Sequence, residues 1–209
     1  LKNIMLLLVL YIIAITAEAM TAALAAGRRD MDWVGVCTIA CVTALGGGSV
    51  RDVLLGHYPL TWVQHPEYLW ITAGAAILTA LIAPIMRRLH SLFLLLDAMG
   101  LVVFTVIGCQ IALEMKLPIT VVLLSGMITG CAGGVLRDIL CNDIPLLLRK
   151  EMYASVSMLT GALYLGAQHL DWHPYVTLLG PMIIGLSFRM LALHRNWQMP
   201  RFVYRDEWR

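Results

Sequence analysis

Six charged side chains stand where charge is costly. Glu18, Arg51, Asp52, Asp97, Arg137 and Asp138 all fall inside long apolar stretches. Each charge costs about 2.5–3.5 kcal/mol at the centre of a membrane helix, so six unpaired and central ones would cost roughly 15–20 kcal/mol. Residues of this kind persist when they pair, meet water or contact an ion. Their spacing is ordered. Residues 46–60 read GGGSVRDVLLGHYPL and residues 132–146 read AGGVLRDILCNDIPL, so Gly47, Gly48, Arg51, Asp52 and Pro59 recur 86 positions later as Gly133, Gly134, Arg137, Asp138 and Pro145. Glu18-Ala19-Met20 likewise returns as Asp97-Ala98-Met99, at an offset of 79. Each half of the chain thus carries one acid in one segment and an Arg-Asp pair in the next. The arginines can bond their aspartates locally or crosswise between the halves, either as a brace or in contact with a permeant species. Glu18 and Asp97 have no adjacent cation, which makes them the better candidates for touching an ion or a proton. Four acids against two arginines leave two surplus negative charges, and an interior of that sign favours cations.

The glycines have their own physics. Gly46, Gly47 and Gly48 together cost a helix about 2–3 kcal/mol relative to alanine, which favours a kink or break near mid-membrane. A break frees backbone carbonyls, which are tolerated at that depth only beside protein or water and are good cation ligands. Ser49 would cap the restarted half-helix, with Asp52 three residues on. In the second copy Gly133 and Gly134 remain, while Ala132 and Val135 replace Gly46 and Ser49. Close packing is the other reading. Ala40, Ala44 and Gly48 lie four apart, as do Gly126, Gly130 and Gly134, and such rows of small residues let membrane helices approach. Continuing either row by four reaches Asp52 or Asp138, which places both carboxylates on the packed side of an unbroken helix.

The elements that must position these groups are membrane helices. Of 209 residues 60% are hydrophobic and 13% charged, and the mean hydropathy is +0.80. That composition belongs to a polytopic membrane protein, not to one or two soluble domains. Seven stretches are long enough to span, roughly 4–26, 33–56, 68–86, 92–113, 118–141, 151–168 and 174–193, the sixth being the shortest. Lys2 ahead of an apolar run with Ala17-Glu18-Ala19 has the outline of a signal peptide, but the run is long for one and Glu18 has a counterpart later. No basic run suits nucleic acid. The five cysteines and six histidines form no metal-binding spacing, and there is no nucleotide-binding loop or nucleophile elbow, so neither an enzyme activity nor a cofactor is indicated.

Lysine and arginine set the topology. One side of the seven spans carries Lys2 and Lys116; the other carries ten, among them Arg28, Arg29, Arg87, Arg88, Arg149 and Lys150. The N-terminus is therefore expected outside and the C-terminus in the cytoplasm. Three spans per copy is an odd number, so the second copy enters the membrane inverted. The expected fold is an all-α polytopic membrane protein of seven transmembrane helices. Residues 1–90 form a first three-helix repeat and 91–170 a second, inverted one; 171–193 form an unpaired seventh helix and 194–209 a cytoplasmic tail.

The duplicated GG-x-x-RD-x-L element, the seven spans and the acid-Ala start of spans one and four resemble the prokaryotic trimeric intracellular cation (TRIC) channel family, which overlaps bacterial proteins described as glycine transporters. The likeness runs over nearly all of residues 4–193. It implies a homotrimer in the bacterial inner membrane with one potassium-permeable pore in each subunit, potassium as the permeant ion, and membrane lipids as the other partners, a bound lipid included. It also implies kinked second and fifth helices flanking the pore, with the kinks at Gly46–Gly48 and Gly133–Gly134, and charged residues after the glycines at Arg51, Asp52, Arg137 and Asp138. Animal members carry Lys-Glu-Val near the first kink, where this chain has Gly48-Ser49-Val50. From the residues themselves two other readings stand beside the channel. One is a secondary carrier for glycine or another small zwitterion, which would use both Arg and Asp; the other is a lipid-binding or scaffold protein braced by ion pairs.

Overall fold

Apolar runs of about 20 residues satisfy every backbone polar group internally only as helices, and helices are what form. The computed structural model describes residues 2–85, 89–148, 152–170 and 172–197. Among these the helices are α1 (Lys2–Gly27), α2 (Trp33–Leu55), a single turn α3 (Thr61–Gln64), α4 (Glu67–Ile82), α5 (Leu89–Glu114), α6 (Ile119–Leu140), α7 (Tyr153–His169) and α8 (Pro174–His194). Short 3-10 turns at Ala83–Ile85 and Leu146–Leu148 follow α4 and precede α7. The seven expected stretches are thus seven long helices. Six of them are long and apolar enough to cross a membrane by length and composition among the described residues. The seventh, α7, has 17 residues, a rise of about 26 Å, slightly less than a hydrocarbon core. The turn α3 lies in a connection that carried no helical periodicity in the sequence. The charges Arg87, Arg88, Arg149 and Lys150 and the tail beyond Trp197 lie outside the described residues.

Local chemistry fixes the ends of α2. Asp32 Oδ1 accepts the Gly35 N–H at 2.7 Å, an N-cap. Gly56 closes the helix at φ +68°, in the left-handed region where a residue without Cβ is unstrained. Asp52 is thereby held one turn before the stop.

Helices α1, α2, α5 and α6 make the centre: α1 packs on α2, α4 and α5, α2 on α6, and α5 on α6, α7 and α8. The α2–α6 crossing is the tightest feature. A Cβ on Gly47 would run into the Thr129 carbonyl oxygen, and a Cβ on Gly133 into the Thr43 carbonyl oxygen. Thr43 and Gly47 become Thr129 and Gly133 when 86 is added, so the contact is reciprocal. The helices meet across a pseudo-two-fold axis, as an inverted repeat requires.

The expected helix break is absent. Both α2 and α6 run as α-helix through their glycines. Ser49 Oγ donates to Leu45 O at 2.8 Å, one turn back along the same helix, and does not cap a restarted segment. Close backbone approach explains the glycines: contact between two helices offsets the cost of glycine within each.

Candidate functional site

The two Arg-Asp pairs sit towards opposite ends of the α2–α6 crossing. Each arginine bonds the aspartate beside it, not the one in the other repeat. Arg51 donates from Nε and Nη2 to Asp52 Oδ1 at 3.0 and 2.6 Å, and His57 Nδ1 lies 3.0 Å from the same oxygen. Asp52 Oδ2 accepts from Thr61 N at 3.3 Å and Thr61 Oγ1 at 3.1 Å. Both Arg51 and Asp52 are buried. In the second copy Arg137 Nε donates to Asp138 Oδ1 at 2.9 Å, and Asp138 Oδ2 accepts from Leu146 N at 2.9 Å. The duplicated design is now visible: one carboxylate oxygen holds the arginine and the other ties down the chain after the helix. That is why the repeat extends past the Arg-Asp pair to Pro59 and Pro145.

Beyond this shared plan the copies diverge. Arg137, with no exposed surface, also reaches α5 and α1. Its Nη1 donates to Asp97 Oδ1 at 2.9 Å and to Thr21 Oγ1 at 3.0 Å, and lies 3.7 Å from Glu18 Oε2. Tyr153 donates its hydroxyl hydrogen to Asp97 Oδ1 at 3.4 Å. The sequence left Glu18 and Asp97 without a cation, whereas the structure gives both of them Arg137. The residue that pairs with them is remote in sequence, and only the packing of α6 against α1 and α5 brings it there.

A third buried arginine changes the charge count. Arg189, in the C-terminal part of α8, is 1% exposed and lies over the Tyr153 ring with its Cζ 4.9 Å from the centroid. Among the described residues the interior therefore holds four acids and three arginines, a surplus of one negative charge where the sequence suggested two. Arg189 was legible, since it interrupts the apolar run GLSFRMLALH, and the rule that singled out Arg51 applies to it equally. Tyr153 carried no such signal.

Two cavities flank the crossing. At the Arg51 end a space of about 480 Å³ is lined by Tyr11, Gly48, Arg51, Thr61, Tyr68 and Thr129, among others. At the opposite end a space of about 310 Å³ is lined by Arg28, His90, Phe93, Asp138, Asp143 and Asn196, among others. Gly48 and Thr129, both at the crossing, floor the first cavity. The Glu18–Asp97–Arg137 cluster lies between the crossing and the second. Within that cluster Asp97 Oδ2 and Arg137 Nη2 are buried with no hydrogen-bond partner among the described residues. Buried polar atoms are nearly always satisfied, so such a pair is a place for water or an ion. Gly46 packs on the Leu136 side chain, and Gly134 lies beside Tyr153, Arg137 and Asp97. No group of His, Cys, Asp and Glu suited to a resident metal occurs among the described residues.

A family model described as "Glycine transporter" matches residues 8–84 and again 94–169, one copy of the motif in each segment. The chain is 34% identical over 195 residues to an Escherichia coli K12 protein named UPF0126 inner membrane protein YadS, covering 92% of this chain and 94% of that one. A UPF0126 membrane protein of Vibrio cholerae is 36% identical over 186 residues, covering 88% of this chain and 78% of the relative. Among solved structures, the TRIC trimeric intracellular cation channel orthologue from Rhodobacter sphaeroides superimposes with a TM-score of 0.88 at 30% identity, over 91% of this chain and 98% of that one.

Proposed function

The chain belongs to the family described as glycine transporters and to the TRIC channel family whose fold it shares, and from that premise we propose that it is a potassium-permeable cation channel, with one pore inside each subunit of a homotrimer. One observation carries the reading. Within a single subunit, cavities at Arg51 and at Asp138 lie at the two ends of the α2–α6 crossing, with the buried Glu18–Asp97–Arg137 cluster beside it, and this set of groups supports a polar file through the subunit. Its surplus charge is negative, which favours a cation. Asp97 Oδ2 supplies a buried oxygen with a lone pair to spare, the kind of ligand a partly dehydrated monovalent cation takes.

In this reading Gly47 and Gly133 set the narrow point of the path, because there the two backbones touch, and Gly46, Gly48, Ser49 and Gly134 flank it. Arg51 and Arg137 hold Asp52 and Asp138 in place, and Asp97 with Glu18 meets the ion. The pore lies in the bacterial inner membrane with the N-terminus outside, and lipids surround the trimer. A carrier for glycine is the second reading. Besides the family's description, Arg51 and Glu114 line the same cavity of about 480 Å³, so a zwitterion would find a partner for each of its charges there.

Purified protein in a planar bilayer under a potassium gradient separates them. The channel predicts discrete current steps that reverse near the potassium potential. A silent bilayer, with saturable glycine counterflow in vesicles, would overturn it in favour of the carrier.

A further inference from the structure

The two cavities are related by the same repeat that relates the helices. At the offset of 79 that joins α1 to α5, Tyr11 of the larger cavity corresponds to His90 of the smaller. In the other direction, Ala25 and Arg28 of the smaller correspond to Phe104 and Ile107 of the larger. In the channel reading they are the two mouths of one path, seen from opposite ends of the pseudo-two-fold axis. Their differences are therefore informative.

The principal difference is Phe93, which lines the smaller mouth and corresponds to Ala14. Phe93 stands four residues before Asp97, hence on the same face of α5 and one turn nearer the helix end. It is 6% exposed. Two guanidiniums lie over its ring: Arg137 of the buried cluster, with Cζ 4.7 Å from the centroid, and Arg28 at the end of α1, at 4.9 Å. Arg28 is exposed, so the ring separates a solvent-side charge from an interior one. At the larger mouth Ile107 replaces the arginine, and the counterpart of the ring, Ala14, is buried and does not line the cavity. The aromatic residues there meet at an angle, Tyr11 tilted against Tyr68 at 4.9 Å and edge-on to Phe104 at 6.0 Å, and Arg51 lines the cavity directly.

We propose that Phe93 is the barrier of the smaller mouth: its ring, held by Arg28 and Arg137, closes the way from the 310 Å³ cavity to Asp97, and its displacement into that cavity opens it. The inference rests on the channel reading and assigns the closed point to one end of the subunit. The grip is electrostatic attraction between the cations and the face of the ring, and a rotamer change breaks it without unfolding any helix. Arg28 acts through the ring and is a positioning residue.

Single-channel recording from the purified full-length protein tests this with Phe93→Ala, Phe93→Leu and Arg28→Gln. Phe93→Leu keeps an apolar side chain of similar bulk and removes only the π face, which covers the case in which alanine perturbs folding. Loss of a desolvated cation–π pair corresponds to a factor of about ten or more, so open probability should rise at least ~10-fold in both Phe93 variants. It should rise less in Arg28→Gln, with the potassium reversal potential unchanged in all three. Wild-type open probability in both Phe93 variants, in a protein that conducts, overturns the barrier and leaves the channel reading standing. A wild type that passes no current sinks the channel reading and, with it, the barrier.

Discussion

Replacing Gly47 with alanine adds a single methyl group at the α2–α6 crossing, and its cost follows from what that methyl would meet. The new Cβ would lie under 3.0 Å from the Thr129 carbonyl oxygen, whereas ordinary contact begins at about 3.4 Å, so the helices must part by at least 0.4 Å. The obstacle is backbone and cannot swing aside. Overpacking of this kind costs typically 1–3 kcal/mol. Gly48, the next residue, is the control. A Cβ there finds its nearest neighbour, Arg51 Nη2, at 3.6 Å, an ordinary contact. Both substitutions gain the same helix propensity, about 1 kcal/mol. Gly48→Ala should therefore be neutral or stabilising, and Gly47→Ala should fall below it by about 1–3 kcal/mol. For a chain of this size that is a gap of roughly 2–12 °C in melting temperature. Thermal unfolding of the purified protein in detergent, followed by intrinsic fluorescence, measures the difference. Gly133→Ala should match Gly47→Ala, and the double variant should lose less than the sum, since both push apart the same two helices. Equal melting temperatures for Gly47→Ala and Gly48→Ala would refute the packing argument and restore a role for the glycines as a flexible break.

The remaining predictions concern the charges. Asp52→Asn should destabilise more than Asp138→Asn, because Arg51 loses its one carboxylate partner among the described residues while Arg137 keeps Asp97 and Glu18; stranding a buried charge costs about 3–5 kcal/mol. Similar melting temperatures for the two variants would show that the arginines are not held as described. Arg137→Gln should be severely destabilised, and adding Asp97→Asn should restore part of the loss in a double-mutant cycle; strict additivity would deny the pair. Arg29→Gln, which removes an exposed pair with Asp143 linking the ends of α1 and α6, should cost under about 1 kcal/mol and lose even that at high salt. A larger effect would mark that link as a structural latch.

Much of this protein was legible before any coordinates. The composition fixed its class, and the seven apolar runs appear as helices because a chain without water to bond must satisfy its own backbone. The 86-residue offset of GG-x-x-RD carried the pseudo-two-fold, but the rows of small residues did not mark the α2–α6 contact: Gly126 and Gly130 pack on Thr105 and Leu101 of α5, and the crossing lies at Thr43, Gly47, Thr129 and Gly133. What misled was energy counted on one helix at a time. Three successive glycines weaken an isolated helix enough to suggest a break, yet α2 and α6 stay whole, because the contact they make with each other lies outside either sequence window. Arg-Asp pairing was open between local and crossed for the same reason. Phe93 and Tyr153 looked like ordinary aromatic residues.

A sequence states which groups must avoid lipid, and periodicity states which faces turn inward; both follow from local geometry and transfer free energy. Partnership is different. Arg137 meets Glu18, Thr21 and Asp97 from 119, 116 and 40 residues away because three helices cross at one point. The sequence thus determined that this chain buries charge in an inverted pair of repeats. The tertiary structure alone decided that one repeat's arginine carries the cluster, since identical motifs acquire different neighbours: Arg137 meets Asp97, Glu18 and the Phe93 ring, whereas Arg51 lines a cavity.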